Sequence, residues 1–220
     1  MSSIKNLTDR RIPLTKEIMI SCINSPHAKK KEWFKAGKKI KVDNRMQKNY
    51  EYTLMFNAGC QLKNGGVDEN GDKITYPDFN PVYSPGQMLK MGAFEGKYCN
   101  DQIFEFPKEW YKNINKFSPE KADPKVNYFG VKSRQSLNVW RNKKWIPCAD
   151  GDMDTRGWFE WYCRYWLGRR MSQVDEIQIK RWRAFNRHYA QYTKNTKNKG
   201  ITKHPKRRQA LLQWSYPCTE

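Results

Sequence analysis

Carboxylates at Asp150, Asp152 and Asp154 alternate through a loop that also holds Gly151, the spacing in this chain best suited to a hard cation. Oxygen ligands at alternate loop positions hold Mg²⁺ or Ca²⁺, and beside an arginine-rich helix they suit metal-assisted phosphodiester cleavage. Asp-Gly-Asp is equally ordinary turn chemistry, and Asp154 alone serves as a helix N-cap. The loop is too short for an EF-hand and lacks its bidentate glutamate. No cofactor is therefore expected, with Mg²⁺ at Asp152 and Asp154 the one metal option carried forward. A second cluster, Glu95-Gly96-Lys97-Tyr98-Cys99-Asn100-Asp101, crowds acid, amine, phenol and thiol together. Facing a cleft, Lys97 would be an amine nucleophile with Asp101 or Glu95 as its acid–base partner, the pairing of a base-excising lyase. The competing and preferred reading packs Phe94 and Tyr98 inward and leaves a salt-bridged outer face.

The string from Phe129 to Trp140, with Gly130, Lys132, Ser133, Arg134, Gln135 and Leu137 inside it, resembles the turn and recognition helix of helix-turn-helix proteins. On that reading Ser133 caps the helix, Arg134 and Gln135 meet base edges, and Leu137 and Trp140 anchor it. Asp123-Pro124 interrupts the place of the first helix, so an ordinary capped helix packed by Leu137 and Trp140 stands slightly ahead. His27, His188 and His204 are far apart and suggest no nucleophile–base pair. Gly65-Gly66 lacks the Lys-Ser/Thr of a phosphate loop.

The chain has 42 Lys and Arg against 22 Asp and Glu, a net charge of +20. Such an excess favours a polyanion: DNA ahead of RNA, with an anionic membrane surface the weaker choice and no spanning segment encoded. Nine Trp, twelve Tyr and ten Phe indicate a built core, unlike a disordered basic tail. Between Arg156 and Arg208 fifteen cations face three acids, a net of +12. Arg164, Arg169, Arg170, Lys180, Arg183, Arg187, Lys206, Arg207 and Arg208 are the candidate phosphate contacts, joined by Lys132, Arg134 and Gln135. The six cysteines are scattered singly, without C-x-x-C spacing or a secretory signal, which predicts reduced thiols, no zinc site and an intracellular, reducing compartment.

These residues need elements to carry them. Trp158, Trp161, Tyr162, Tyr165 and Trp166 recur at helical spacing, so a buried helix is expected over roughly Arg156–Arg170, its exceptions being Glu160 and Arg164. Ser172 and Asp175 start the next helix, with Ile179, Trp182, Phe185 and Tyr189 inward and Lys180, Arg183 and Arg187 outward. Pro205 begins a last helix. Ser84-Pro85-Gly86-Gln87 is a capping box, and Trp110, Ile114 and Phe117 fall on one helical face after Pro107. Tyr50–Phe56 has strand character, and the Asn64-Gly65-Gly66 and Glu69–Asp72 turns predict one β-hairpin within 50–83. Residues 29–48, with nine cations against Glu32 and Asp43, read as a basic arm or a solvated helix.

The strings Asp154–Arg170, Gln178–His188 and Arg208–Trp214, together with Ser84–Asp101, resemble a family of uncharacterised proteins from microbes and their viruses. The resemblance implies no activity and no site residues. It implies that 84–216 form the domain proper, with the N-terminal region as an accessory, and the Lys- and Asn-rich composition fits an AT-rich source such as a large virus. The expectation is a mainly α protein, with α+β as the alternative: a basic segment over 1–49, a hairpin region over 50–83 and a helical nucleic-acid-binding domain over 84–220. It would act on the phosphate backbone in DNA metabolism or repair. The rivals are a DNA-processing enzyme, nuclease or glycosylase, and a packaging protein of a virion or nucleoprotein particle.

Overall fold

Eight of the ten residues from Trp158 to Leu167 are buried, and a helix with so little solvated surface forms only at the centre of a core. The computed structural model describes residues 2–60, 75–143, 146, 153–196 and 204–219. In chain order the α-helices are α1 (Ser2–Thr8), α2 (Lys16–Ile23), α3 (Pro85–Lys90), α4 (Leu137–Asn142), α5 (Trp158–Leu167), α6 (Ser172–Thr196) and α7 (Pro205–Gln213), with one hairpin, β1 (Lys39–Val42) and β2 (Tyr50–Thr53). The protein is thus mainly α with a small β-hairpin.

Helix α5 runs between two glycines, Gly157 and the left-handed Gly168. At Gly168, φ is +116° and an added Cβ would stand 2.1 Å from the Phe56 carbonyl oxygen, so the helix ends where two backbones touch. Phe79 is the hub beside α5, its ring 5.1–5.7 Å from Trp161, Tyr162, Tyr165 and Trp182. The 25 residues of α6 reach about 37 Å. Its inner stripe stacks on the C-terminal segment, Trp182 on Tyr216 and Phe185 on Trp214, each at 4.9 Å. Trp158 closes the sandwich, 4.9 Å from Trp214.

The expected strand at Tyr50 is present, but its partner lies upstream. β1 and β2 are antiparallel with Ile40 opposite Tyr52. Lys39-Ile40-Lys41-Val42 alternates with period two, Ile40 and Val42 inward and the lysines outward, so part of the expected basic arm is a half-buried strand. The Asn64-Gly65-Gly66 and Glu69–Asp72 turns lie outside the described residues. Leu7, Met19, Cys22 and Phe34 join the same apolar cluster as α5 and α6, so the N-terminal region is built into the core and is no accessory. The capping box at Ser84 forms as expected: the Gln87 N–H donates to Ser84 Oγ, and the Ser84 N–H to Gln87 Oε1. After Pro107 there are two 3₁₀ turns, Lys108–Tyr111 and Ile114–Lys116, where a helical face was expected; each serves to sink an aromatic, Trp110 and Tyr111 directly and Phe117 just beyond.

Candidate nucleic-acid interface

Three arginines that composition assigns to the surface lie inside. Arg156 grips Asp101 with both terminal nitrogens, each at 2.7 Å. Arg164 donates from Nε to Glu105 Oε1 at 2.6 Å, from Nη2 to Gln47 Oε1 at 2.9 Å, and from Nη1 to Asp154 Oδ1 at 3.1 Å and to the Met153 carbonyl. Arg169 takes the other Asp154 oxygen at 2.6 Å. Gln102 Nε2 ties Glu105 to Glu160 at 3.0 and 2.8 Å. Arg164 and Arg169 are 0 % and 1 % exposed, which corrects their expected role as phosphate contacts. The cause is long-range: Asp101 and Glu105 come from a segment far from α5 in sequence, and buried guanidiniums persist only where such carboxylates meet them. Four carboxyls against three guanidiniums leave one surplus negative charge. Burial pushes the Glu160 carboxyl upward, the direction that removes it, while the two neighbouring arginines oppose the shift.

Lys180 and Arg187 do face solvent on α6, as do Lys206 and Arg207 on α7 and Lys132 in the loop before α4. Arg183 is exposed but paired with Asp78. Arg170 instead folds back over the Tyr165 ring at 3.7 Å and donates to the Tyr165 and Arg169 carbonyls, closing the end of α5. Arg208 is held by the Cys218 carbonyl at 2.8 Å and lies over Phe129 at 4.5 Å. From Ile177 to Thr196 α6 carries five cations (Lys180, Arg181, Arg183, Arg187 and Lys194) and no acid.

The two short strings singled out in sequence meet at one cavity of about 490 Å³. Its walls include Phe94, Tyr98 and Trp140, its cations are Arg45, Lys97, Arg134 and Arg156, and Asn100, Asp101 and Gln135 add polar groups. Glu95 joins the strings: buried, its Oε1 accepts the N–H groups of Ser133 and Arg134, both at 3.0 Å. The loop it stands on is left-handed at Phe94, Glu95 and Cys99, with φ between 57° and 61°. Each such non-glycine residue costs about 1–2 kcal/mol. Asn127 Oδ1 on the Glu95 N–H at 2.8 Å and the Ser118 N–H on the Gly96 carbonyl at 2.8 Å help hold it there.

The helix-turn-helix expectation is corrected by this placement. Ser136, not Ser133, caps the helix, which begins at Leu137 and is six residues long, about 9 Å. Upstream, Asp123-Pro124 supports one 3₁₀ turn, Pro124–Val126, and no first helix. Arg134 and Gln135 therefore line a cavity from a loop. Of the lyase pair, Asp101 is anchored. Burial alone would raise its carboxyl, but the Arg156 charge and hydrogen bonds hold it below the ordinary range, far from a base poised near neutrality. Lys97 is half-buried, its ammonium donating to the carbonyls of Pro119 and Glu120, the latter at 3.0 Å. Burial, then the nearby Arg134 charge, lowers its pKa.

Asp150 and Asp152 lie outside the described residues, and both Asp154 oxygens already face arginines. Among the described residues no cluster of three His, Cys, Asp or Glu side chains is placed to hold a metal ion. None of the five described cysteines is in a disulfide, and no helix there is long and apolar enough to cross a membrane. Sequence reasoning missed Asn100, Arg45 and Arg156 as cavity residues. The crowding of polar types around residues 95–101 signalled Asn100, while no local signal marked Arg45 or Arg156. No protein-family model matches the chain, and no curated protein or solved structure matches it significantly.

Proposed function

We propose that the protein binds nucleic acid through the outer face of α6 and the start of α7, contacting phosphates with Lys180, Arg187, Lys206 and Arg207, in DNA metabolism or repair. One observation carries the reading. The interior withdraws more acid than base: Glu95, Asp101, Glu105, Asp154, Glu160 and Asp175 are buried, against Arg156, Arg164 and Arg169. Setting these aside leaves 39 cations and 16 acids, so the excess of +20 becomes +23 outside that interior. On α6 the cations from Lys180 to Lys194 span about 21 Å without an intervening acid, which is about six steps of a nucleic-acid strand.

The test is binding to duplex DNA, single-stranded DNA and RNA across a salt series, with wild type and Lys180→Glu/Arg187→Glu. Four phosphate contacts give a log–log salt slope of about −3.6 on duplex DNA. The double variant is expected to weaken binding at least tenfold and to flatten the slope by about 2. Length-proportional binding without preference for any form would favour a packaging role. Absence of binding near physiological salt, or a double variant equal to wild type, refutes the proposal.

A further inference from the structure

The cavity holds features that phosphate-backbone binding does not use. Its wall is aromatic, with Phe94 and Tyr98 rings 4.7 Å apart, both packed on Phe159 at 4.8 and 5.1 Å, and Trp140 lining the same space. At about 490 Å³ it lies within the roughly 300–1,000 Å³ of small-ligand sites. Among the described residues no hydrogen bond or ion pair engages the Arg134 guanidinium, while Glu95 fixes its backbone. Lys97 spends two donors on the carbonyls of Pro119 and Glu120 and keeps a third. Arg45 adds positive potential but is tied to the Asn6 and Leu7 carbonyls. The opposing acids are Asp101, neutralised by Arg156, and Glu120, exposed at the rim.

Asn100 supplies the independent observation. It is 5 % exposed, and its Nδ2 donates to the Gly96 carbonyl at 3.0 Å, which fixes the amide orientation. Its Oδ1 is buried without a partner while the residue lines the cavity. A buried orphan acceptor is costly, and a hydrogen-bond donor on a ligand relieves it. Aromatic wall, free guanidinium, spare ammonium donor and orphan acceptor together suit a ligand with a flat ring, a hydrogen-bond donor on its edge and an anionic group.

We propose that this cavity binds one nucleoside monophosphate unit: the base against Tyr98 and Trp140 with an N–H on Asn100 Oδ1, and the phosphate on Arg134 and Lys97. The unit is either a free mononucleotide or a nucleotide extruded from a strand held on α6, and in the second form it rests on the nucleic-acid reading above. A strained loop that keeps its shape through Asn127 and Ser118 suits a site formed before the ligand arrives.

The full chain is titrated calorimetrically with AMP, CMP, GMP and UMP, with adenosine, and with inorganic phosphate. In parallel, duplexes carrying 2-aminopurine at a mismatch report unstacking by fluorescence. Binding of a monophosphate at least tenfold tighter than adenosine or phosphate supports the free source. Fluorescence gain on the mismatched duplex supports the extruded one. In either case Arg134→Ala and Trp140→Leu, checked for an unchanged melting temperature, are expected to weaken the signal at least tenfold, while Lys112→Ala on the exposed surface leaves it unchanged. No monophosphate binding at millimolar concentration together with no unstacking overturns the proposal. If duplex binding persists in that case, the outer-face reading stands and only the cavity assignment falls.

Discussion

Replacing Arg164 by methionine keeps most of the side-chain volume and removes a guanidinium whose carboxylate partners are all buried. Glu105 loses its 2.6 Å partner, Asp154 its 3.1 Å one, and Glu160 a charge at 3.6 Å. Breaking a buried ion pair by deleting one partner costs about 3–5 kcal/mol, because the remaining charge stays desolvated. Domains of this size lose about 2–4 °C per kcal/mol, so the melting midpoint should drop by about 6–20 °C. Arg187→Met, at an exposed position, should stay within about 0.5 kcal/mol of wild type. Thermal unfolding followed by circular dichroism measures both, and the pH dependence adds a second check. In Arg164→Met the Glu160 carboxyl, already raised by burial, loses the charge that most opposes that shift, so proton uptake stabilises the folded variant and its deficit should narrow as pH falls. Nucleic-acid binding, measured well below both midpoints, should be unchanged. A variant that melts with wild type yet binds poorly would refute the buried network and return Arg164 to the surface.

Two further outcomes test the fold and its electrostatics. Gly168→Ala drives a Cβ to 2.1 Å from the Phe56 oxygen at φ +116°, whereas Gly37→Ala at φ +80° meets nothing within 4 Å. The first should cost more than about 2 kcal/mol and the second about 1 kcal/mol by urea denaturation, and equal losses would mean that the α5 end does not touch Phe56. Asp175 accepts the Trp161 indole N–H at 2.8 Å and the Met171 N–H at 2.9 Å, and burial raises its pKa to about 6 against those bonds. The Trp161 indole resonance should therefore titrate near pH 6, and a midpoint near 4 contradicts the assignment. Because the folded value lies above the unfolded 3.8, this contribution is complete below pH 3.8 and lost as pH rises through about 6, by up to about 3 kcal/mol.

The helices that were legible are those with long periodic faces. α5 and α6 could be read because aromatics recur every three or four residues, and α3 because a capping box is a local object. β1 was not legible: Lys39 and Lys41 dominate its composition, and a four-residue alternation only means something beside its partner. The left-handed run at Phe94 and Glu95 has no local signal at all, since neither residue favours positive φ; Asn127, Ser133 and Arg134 impose it from 32 or more positions away. The same long-range bonds explain why two weak strings in the sequence form one cavity, and why their chemistry was first assigned separately, to a lyase and to a recognition helix.

Charge counting failed and succeeded in different respects, and the difference is physical. Over Arg156–Arg208 the sequence offers fifteen cations against three acids. Removing buried Arg156, Arg164 and Arg169 together with buried Glu160 and Asp175 leaves twelve cations against Glu176, a net of +11 where +12 was counted. The window's total hardly moves because it loses three arginines and two carboxylates to the interior together, while the other buried carboxylates lie upstream of it. The field felt by a polyanion depends on that total, and composition therefore reports it faithfully. Individual contacts depend on which side of the cancellation each residue falls. Glu105 and Asp101, far upstream, decide that for Arg164 and Arg156, and no property of α5 alone reveals it. The proposed phosphate-binding face accordingly moves off the end of α5 and onto α6 and α7, where α6 carries no acid between Ile177 and Thr196.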